Sequence, residues 1–213
     1  MAAIDERKIV GRGSVNFASE KDIDEFVTLL GKFENGEMAP DDWRRYRLTR
    51  GTYGQRQDGV QMIRIKIPQG LMDAHQARVF ADIAERWSRG FGHITTRQNM
   101  QFHFVPLKDV PELLDHAAAA GLTTREACGN SVRNITACPY AGVAADEPFD
   151  VTPYADAVAQ YLLGHKDTQN FGRNIRTGVP PGLVMQPLYV LTTVSNRLNG
   201  SFIDDDYVIM YIQ

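Results

Sequence analysis

The sequence predicts an α+β fold in which helices cover one face of a sheet, and three observations lead there. Apolar residues alternate with a period of two over VQMIRIKIP, residues 60–68, and over GHITTRQNMQFHFV, residues 92–105. The period becomes that of a helix over residues 20–34, 73–88 and 108–121. From 59 to 121 the order is therefore strand, helix, strand, helix, and strands joined by helices of this length usually run parallel through a right-handed crossover.

Each element has its own signals. EKDIDEFVTLLGKFE, residues 20–34, puts Ile23, Phe26, Val27 and Leu30 on one helical face. A shorter helix is expected over DDWRRYRLTRG, with Asp41 as its cap and Gly51 as its end. In the first strand Gln61, Ile63, Ile65 and Ile67 share one side and Met62, Arg64 and Lys66 the other, until Pro68 removes a ladder donor. Val79, Phe80, Ile83, Ala84 and Trp87 form the stripe of the next helix, which Gly90 and Gly92 stop. The second strand is expected to run unbroken. Ile94, Thr96, Gln98, Met100, Phe102 and Phe104 lie on one side of it, and His93, Thr95, Arg97, Asn99, Gln101 and His103 on the other. Val110, Leu113, Leu114, Ala117 and Ala118 make the following helical face, closed by Gly121. The expectation is a sandwich of the ferredoxin-like kind. Residues 122–150 read as ordered loop with a short strand, and a further helix starts near 151, capped by Thr152 or Asp150 with Pro153 in its first turn. After Arg176 the composition shifts, the last 37 residues holding four charges, Arg197 and Asp204 to Asp206.

Composition narrows the function. A net charge of −3 with 43% hydrophobic and 23% charged residues is that of an ordinary globular protein and argues against a general nucleic-acid or membrane-surface role. The N-terminus lacks an apolar signal region, no apolar run nears the ~20 residues of a membrane span, and two cysteines are too few for a disulfide framework. A cytoplasmic protein is expected. The polar side of residues 92–105 is unusual because it holds six hydrogen-bonding residues and no carboxylate, where a solvated face carries Lys and Glu of mixed sign. With Arg64 and Lys66 on an adjacent strand it suggests an anion-binding surface, since the guanidinium fork donates two parallel hydrogen bonds to an oxyanion. Arg133, in ACGNSVRNITACP, also lacks an acidic neighbour in sequence. Cys128 and Cys138 have no nearby histidine and read as buried thiols rather than metal ligands.

RGTYGQRQDGVQMIRIKIPQG, GHITTRQNMQFHFV, GLTTREACGNSVRNITACPYAG and ADEPFDVTPYA, taken in order, resemble the start of the siroheme-dependent sulfite and nitrite reductases. The resemblance runs from about Phe26 to Arg173. It implies an N-terminal helical segment over 1–50, a ferredoxin-like half-domain over 51–121, the beginning of a siroheme-binding α/β domain over 122–176, and a tail, 177–213, unlike the family. It also implies six-electron reduction of sulfite to sulfide or nitrite to ammonia. The cofactors would be siroheme and a 4Fe-4S cluster, with electrons from a ferredoxin or a flavoprotein and the C-terminal half of such an enzyme as further partner. Arg64 and Arg133 fall on the cations that hold the substrate oxyanion. Arg97 falls on a siroheme-contacting arginine, with Thr95, Thr96, Gln101 and His103 along the same strand.

Three departures stand against it. His93 replaces an arginine found in many relatives, and Arg173-Asn174-Ile175-Arg176 stands where the family has Arg-Lys-Phe-Lys. The C-x5-C and C-x3-C ligands of the cluster have no counterpart, because Cys128 and Cys138 do not match them, so this chain alone is expected to be inactive. The alternative is a stand-alone ferredoxin-like module for a small anion. RNA is disfavoured, since sheet-type RNA binders stack bases on aromatic residues and this polar face has none beyond its histidines.

Overall fold

A computed structural model describes residues 15–129, 131–143, 145 and 149–165, and the backbone of 175–178, 189–194 and 206–211. Helices α1 (Glu20–Glu34) and α2 (Pro40–Thr49) precede strands β1 (Thr52–Gly54) and β2 (Val60–Ile65). Helix α3 (Ala74–Trp87), strands β3 (His93–Ile94) and β4 (Met100–Pro106) and helix α4 (Val110–Ala119) follow. The sheet order is β1-β2-β4-β3, every neighbouring pair antiparallel.

The predicted strand over 92–105 is two strands. Thr95 to Asn99 form a turn in which the Thr95 N–H donates to the Asn99 carbonyl and the Thr95 hydroxyl accepts from the Asn99 N–H, with Gln98 at φ 57°. β3 and β4 are thus arms of a hairpin. Because both β2 and β3 lie antiparallel to β4, they run parallel to each other with β4 between them. The crossover expectation holds for that pair and fails for the adjacent pair β2 and β4.

The two-faced pattern also breaks inside β4. Gln61 pairs with Val105 and Ile63 with Phe102, so His103 and Phe104 together face Met62 in a β-bulge, Phe104 having φ 63°. The extra residue reverses the phase. Phe102 and Val105 are buried, whereas Phe104 leaves the core face. Ile94, expected on the apolar side, is 70% exposed.

One core lies between this sheet and the helices. Phe26, Leu30 and Trp43 from α1 and α2 meet Ile63, Ile65, Phe102 and Val105, with Val79, Phe80, Ile83, Trp87, Leu113 and Leu114 from α3 and α4. Val27, assigned to the buried face of α1, is 48% exposed because the face is narrower than its apolar residues suggest. Asp41 does not cap α2. Pro40 occupies the first turn, where its missing N–H costs nothing, and Asp41 follows inside it. α3 has a full capping box between Asp73 and Gln76.

After α4 the chain turns to the opposite, polar side of the sheet. It forms the short strand β5 (Ile135–Thr136) and helix α5 (Thr152–Leu162), where the Asp150 carboxylate accepts from the Thr152 N–H. The backbone strands β6 (Ile175–Gly178), β7 (Tyr189–Val194) and β8 (Asp206–Tyr211) complete a second sheet of order β5-β6-β7-β8. Asn174, the Arg176 side chain and the packing expected of the tail lie outside the described residues. Among the described residues no helix is long and apolar enough to cross a membrane.

Candidate functional site

A cleft of about 430 Å³ opens between the polar side of the sheet and the segment after α4. It is lined by Arg64 from β2, by Thr95, Thr96, Arg97 and Asn99 from the hairpin turn, and by Ala127, Arg133 and Thr136. Three of these eight side chains are cationic and none is acidic. The volume lies within the ~300–1,000 Å³ of small-ligand sites.

Local backbone geometry places each group. Arg64 sits directly opposite Gln101 in the ladder, and its N–H donates to the Gly51 carbonyl at 2.9 Å. Gly51 has φ +68°, and a Cβ there would lie 2.6 Å from the Arg64 carbonyl oxygen, so a side chain is excluded at that junction. The turn carrying Arg97 is tied down by side chains acting as backbone. Gln98 donates to the Ala137 carbonyl at 2.8 Å and accepts from the Ala137 N–H at 3.1 Å. Asn134 donates to the carbonyls of Ile67 (2.6 Å) and Arg97 (2.9 Å), and the Asn99 side chain accepts from the Ile67 N–H at 3.1 Å.

Two guanidinium groups converge on one acceptor. Arg64 donates to the Ala127 carbonyl at 3.2 Å and Arg133 donates to the same oxygen at 3.4 Å. Arg64 also donates to the Gln101 side-chain oxygen, from Nε at 2.8 Å and from Nη2, with the amide oriented to meet those donors. Like charges held this close, with no carboxylate among the described lining residues, favour an anion between them.

The predicted site residues therefore separate into two groups. Arg64, Arg133, Arg97, Thr95 and Thr96 line the cleft, and Gln101 backs it through Arg64. His93 and His103 do not line it. Their rings stack 5.9 Å apart, with Phe91 and Phe104 beside His103, and Gln101 separates them from Arg64 along the sheet. Burial, and then the neighbouring His93, lower the His103 pKa. Sequence reasoning missed Gln98, Asn99 and Asn134 as tethers. The run of five hydrogen-bonding residues from Thr95 to Asn99 in mid-strand was the available turn signal.

Behind the cleft lie two buried titratable groups. Burial lowers the Lys66 pKa from 10.5 to about 8, with Glu126 opposing the shift and Arg133 and Arg125 adding to it. Burial pushes the Cys128 thiol up from 9.0 to about 11, against the pull of Arg64 and Arg133. These shifts have opposite consequences. An unfolded chain keeps the Lys66 proton up to about pH 10.5 and the folded one releases it near 8, so stability rises with pH between those values, by up to about 3 kcal/mol. The unfolded Cys128 thiol ionises first, so its contribution falls from pH 9.0 to about 11. Urea unfolding should show the wild type gaining stability relative to Lys66→Met above pH 8, and Cys128→Ala losing the falling limb. A pH-independent difference between wild type and Lys66→Met would mean that Lys66 is not a buried charge.

Guanidinium and hydroxyl groups with no carboxylate among the described lining residues are chemically suited to an oxyanion or a carboxylate. Residues 53–120 match the nitrite/sulfite reductase ferredoxin-like half domain. The chain is 32% identical over 162 residues to the assimilatory ferredoxin-dependent nitrite reductase of Haloferax mediterranei, covering 68% of this chain and 28% of that one. It is 35% identical over 122 residues to the chloroplastic ferredoxin–nitrite reductase of Arabidopsis thaliana, covering 55% and 21%. Over 118 residues it is 32% identical to sulfite reductase [ferredoxin] 1 of Mycolicibacterium paratuberculosis, again 55% and 21%. The fold matches that of the Mycobacterium tuberculosis NirA protein with a TM-score of 0.63 at 20% identity, over 88% of this chain and 43% of NirA. The chain belongs with the nitrite and sulfite reductases and corresponds to their N-terminal part. It spans about a quarter of the length of these curated relatives.

Proposed function

We propose that this chain is the N-terminal portion of an assimilatory-type sulfite or nitrite reductase, contributing the oxyanion site and part of the siroheme site. The observation that carries the reading is the convergence of Arg64 and Arg133 on the Ala127 carbonyl in a cleft with three arginines among its described lining residues. Arg64 and Arg133 bind sulfite or nitrite and stabilise the charge that develops as oxygen is lost. Arg97, Thr95 and Thr96, with Gln101 behind them, take siroheme carboxylates, and His93 and His103 serve the outer edge of the same strand pair. The donor set fits that group, being guanidinium and hydroxyl with no competing carboxylate among the lining residues. Siroheme, when bound, supplies the redox-active iron.

The 4Fe-4S cluster does not fit this chain. Cys128 is buried, Cys138 is partly so, and among the described residues no group of three His, Cys, Asp or Glu could hold a metal. The domain division at 50, 121 and 176, with 177–213 as a tail unlike the family, belongs to the same proposal. So do the missing C-terminal half as partner and a cytoplasmic setting. The ferredoxin-linked relatives favour ferredoxin over a flavoprotein as the donor. The second reading, a stand-alone small-anion module, uses the same three arginines of the cleft and differs in requiring no siroheme.

Calorimetric titration of the purified 213-residue chain with nitrite and sulfite, with and without siroheme, tests both readings. Oxyanion binding strengthened by siroheme supports the reductase portion, and binding indifferent to siroheme supports the module. No oxyanion binding sinks both. Reduced viologen should not be oxidised by this chain with either anion, and turnover would refute its inactivity alone.

A further inference from the structure

We propose that Lys66 is a positioning residue whose buried ammonium holds the Val132 carbonyl and thereby presents Arg133 to the cleft beside Arg64. The inference rests on the anion-binding reading of that cleft. Lys66 is 6% exposed, yet it points to the polar side of the sheet, away from the apolar core. Its Nζ donates to the Val132 carbonyl at 3.2 Å, and its own N–H donates to the Thr123 carbonyl at 2.8 Å. Asn134, on the other side of Arg133, donates to the Ile67 and Arg97 carbonyls. Arg133 is thus bracketed, the residue before it tied to Lys66 and the residue after it tied to Ile67.

An ammonium is an expensive way to fill this space, because desolvating a charge is costly and a hydrocarbon chain of the same length would pack without that cost. What the ammonium alone supplies is a charge-assisted bond to the peptide that carries Arg133 and a third positive charge behind the two guanidinium groups. The charged groups facing it are consistent with that arrangement. Glu126, 4% exposed, attracts it, Arg125 and Arg133 repel it, and Asp156 from α5 lines the same small cavity. Because burial brings Lys66 to about 8, its proton is lost in an accessible pH range, and the hold on Val132 weakens with it.

Carbon-labelled lysine and arginine in the full chain allow Lys66 Cε and Arg133 Cδ to be followed by NMR from about pH 6.5 to 9.5, bracketing the Lys66 midpoint, with no anion present. Lys66 should titrate near 8 and the Arg133 signal should move with the same midpoint. Glu126→Gln should lower both midpoints together, which packing alone would not do. In Lys66→Met the alkaline step should vanish from Arg133. Nitrite, a monoanion throughout this range, should bind that variant about tenfold more weakly near neutral pH. An Arg133 signal blind to Lys66 titration in the wild type overturns the proposal, whether or not the methionine variant folds. Unchanged nitrite affinity in a folded Lys66→Met chain overturns it as well. If Arg133 follows Lys66 but the wild type binds no nitrite, the anion reading of the cleft falls and the positioning role stands.

Discussion

Phe102→Ala should destabilise the chain by about 3–5 kcal/mol, and Phe104→Ala, two residues on, by about 1 kcal/mol or less. Simple alternation puts both on the same side of a strand, and the bulge at His103 and Phe104 separates them. Phe102 is 1% exposed, lies opposite Ile63 in the ladder and has the Phe80 ring 5.9 Å away. Alanine there opens a cavity between the sheet and α3 that rigid neighbours can only partly refill. Phe104 is displaced from the core and lies with the Arg89 guanidinium 3.7 Å from its ring centre, so its loss removes a partly exposed cation–π contact. Its φ of 63° also strains any side chain, and glycine should recover part of the loss. Urea unfolding of the two alanine variants decides the matter. Equal losses would mean that β4 continues without a bulge and that the register is other than described.

Arg64→Ala and Arg133→Ala should each weaken oxyanion binding by at least about tenfold, and the double variant by less than the product of the two single losses, since each removes charge-assisted hydrogen bonds of roughly 1.5–3 kcal/mol. The sum should fall short of additivity, because the two guanidinium groups share the Ala127 carbonyl and the loss of one lets the other relax. Arg64→Lys should restore little. A point charge cannot reproduce the simultaneous bonds that Arg64 makes to Gln101 and Ala127. His93→Ala serves as the control, for His93 is exposed and absent from the cleft lining. Calorimetry with nitrite at fixed salt provides the measurement. A loss at His93 equal to that at Arg64 would move the anion site along the strand pair toward the stacked histidines.

Periodicity and charge pattern by themselves determined most of the helices, the inward set Ile63, Ile65 and Ile67, and the acid-free stretches of sequence that carry Arg64, Arg97 and Arg133. Those are local properties, because a helical stripe or a run of like residues repeats within a few positions whatever the rest of the chain does. The motifs also sufficed to relate the chain to the nitrite and sulfite reductases, since spaced residues that build one cleft are written along the sequence. Only the tertiary structure decided that residues 92–105 form a hairpin, that Val105 rather than Phe104 enters the core, and that the histidines stand apart from the arginine cleft. It also decided that Gln98 and Asn134 stand in for backbone hydrogen bonds and that Lys66 is buried beneath Arg133's peptide. The reason is that register, bulges and the burial of a charge depend on partners distant in sequence, such as Met62 opposite His103 and Phe104 or Val132 above Lys66, and no short window of the chain contains both members of such a pair.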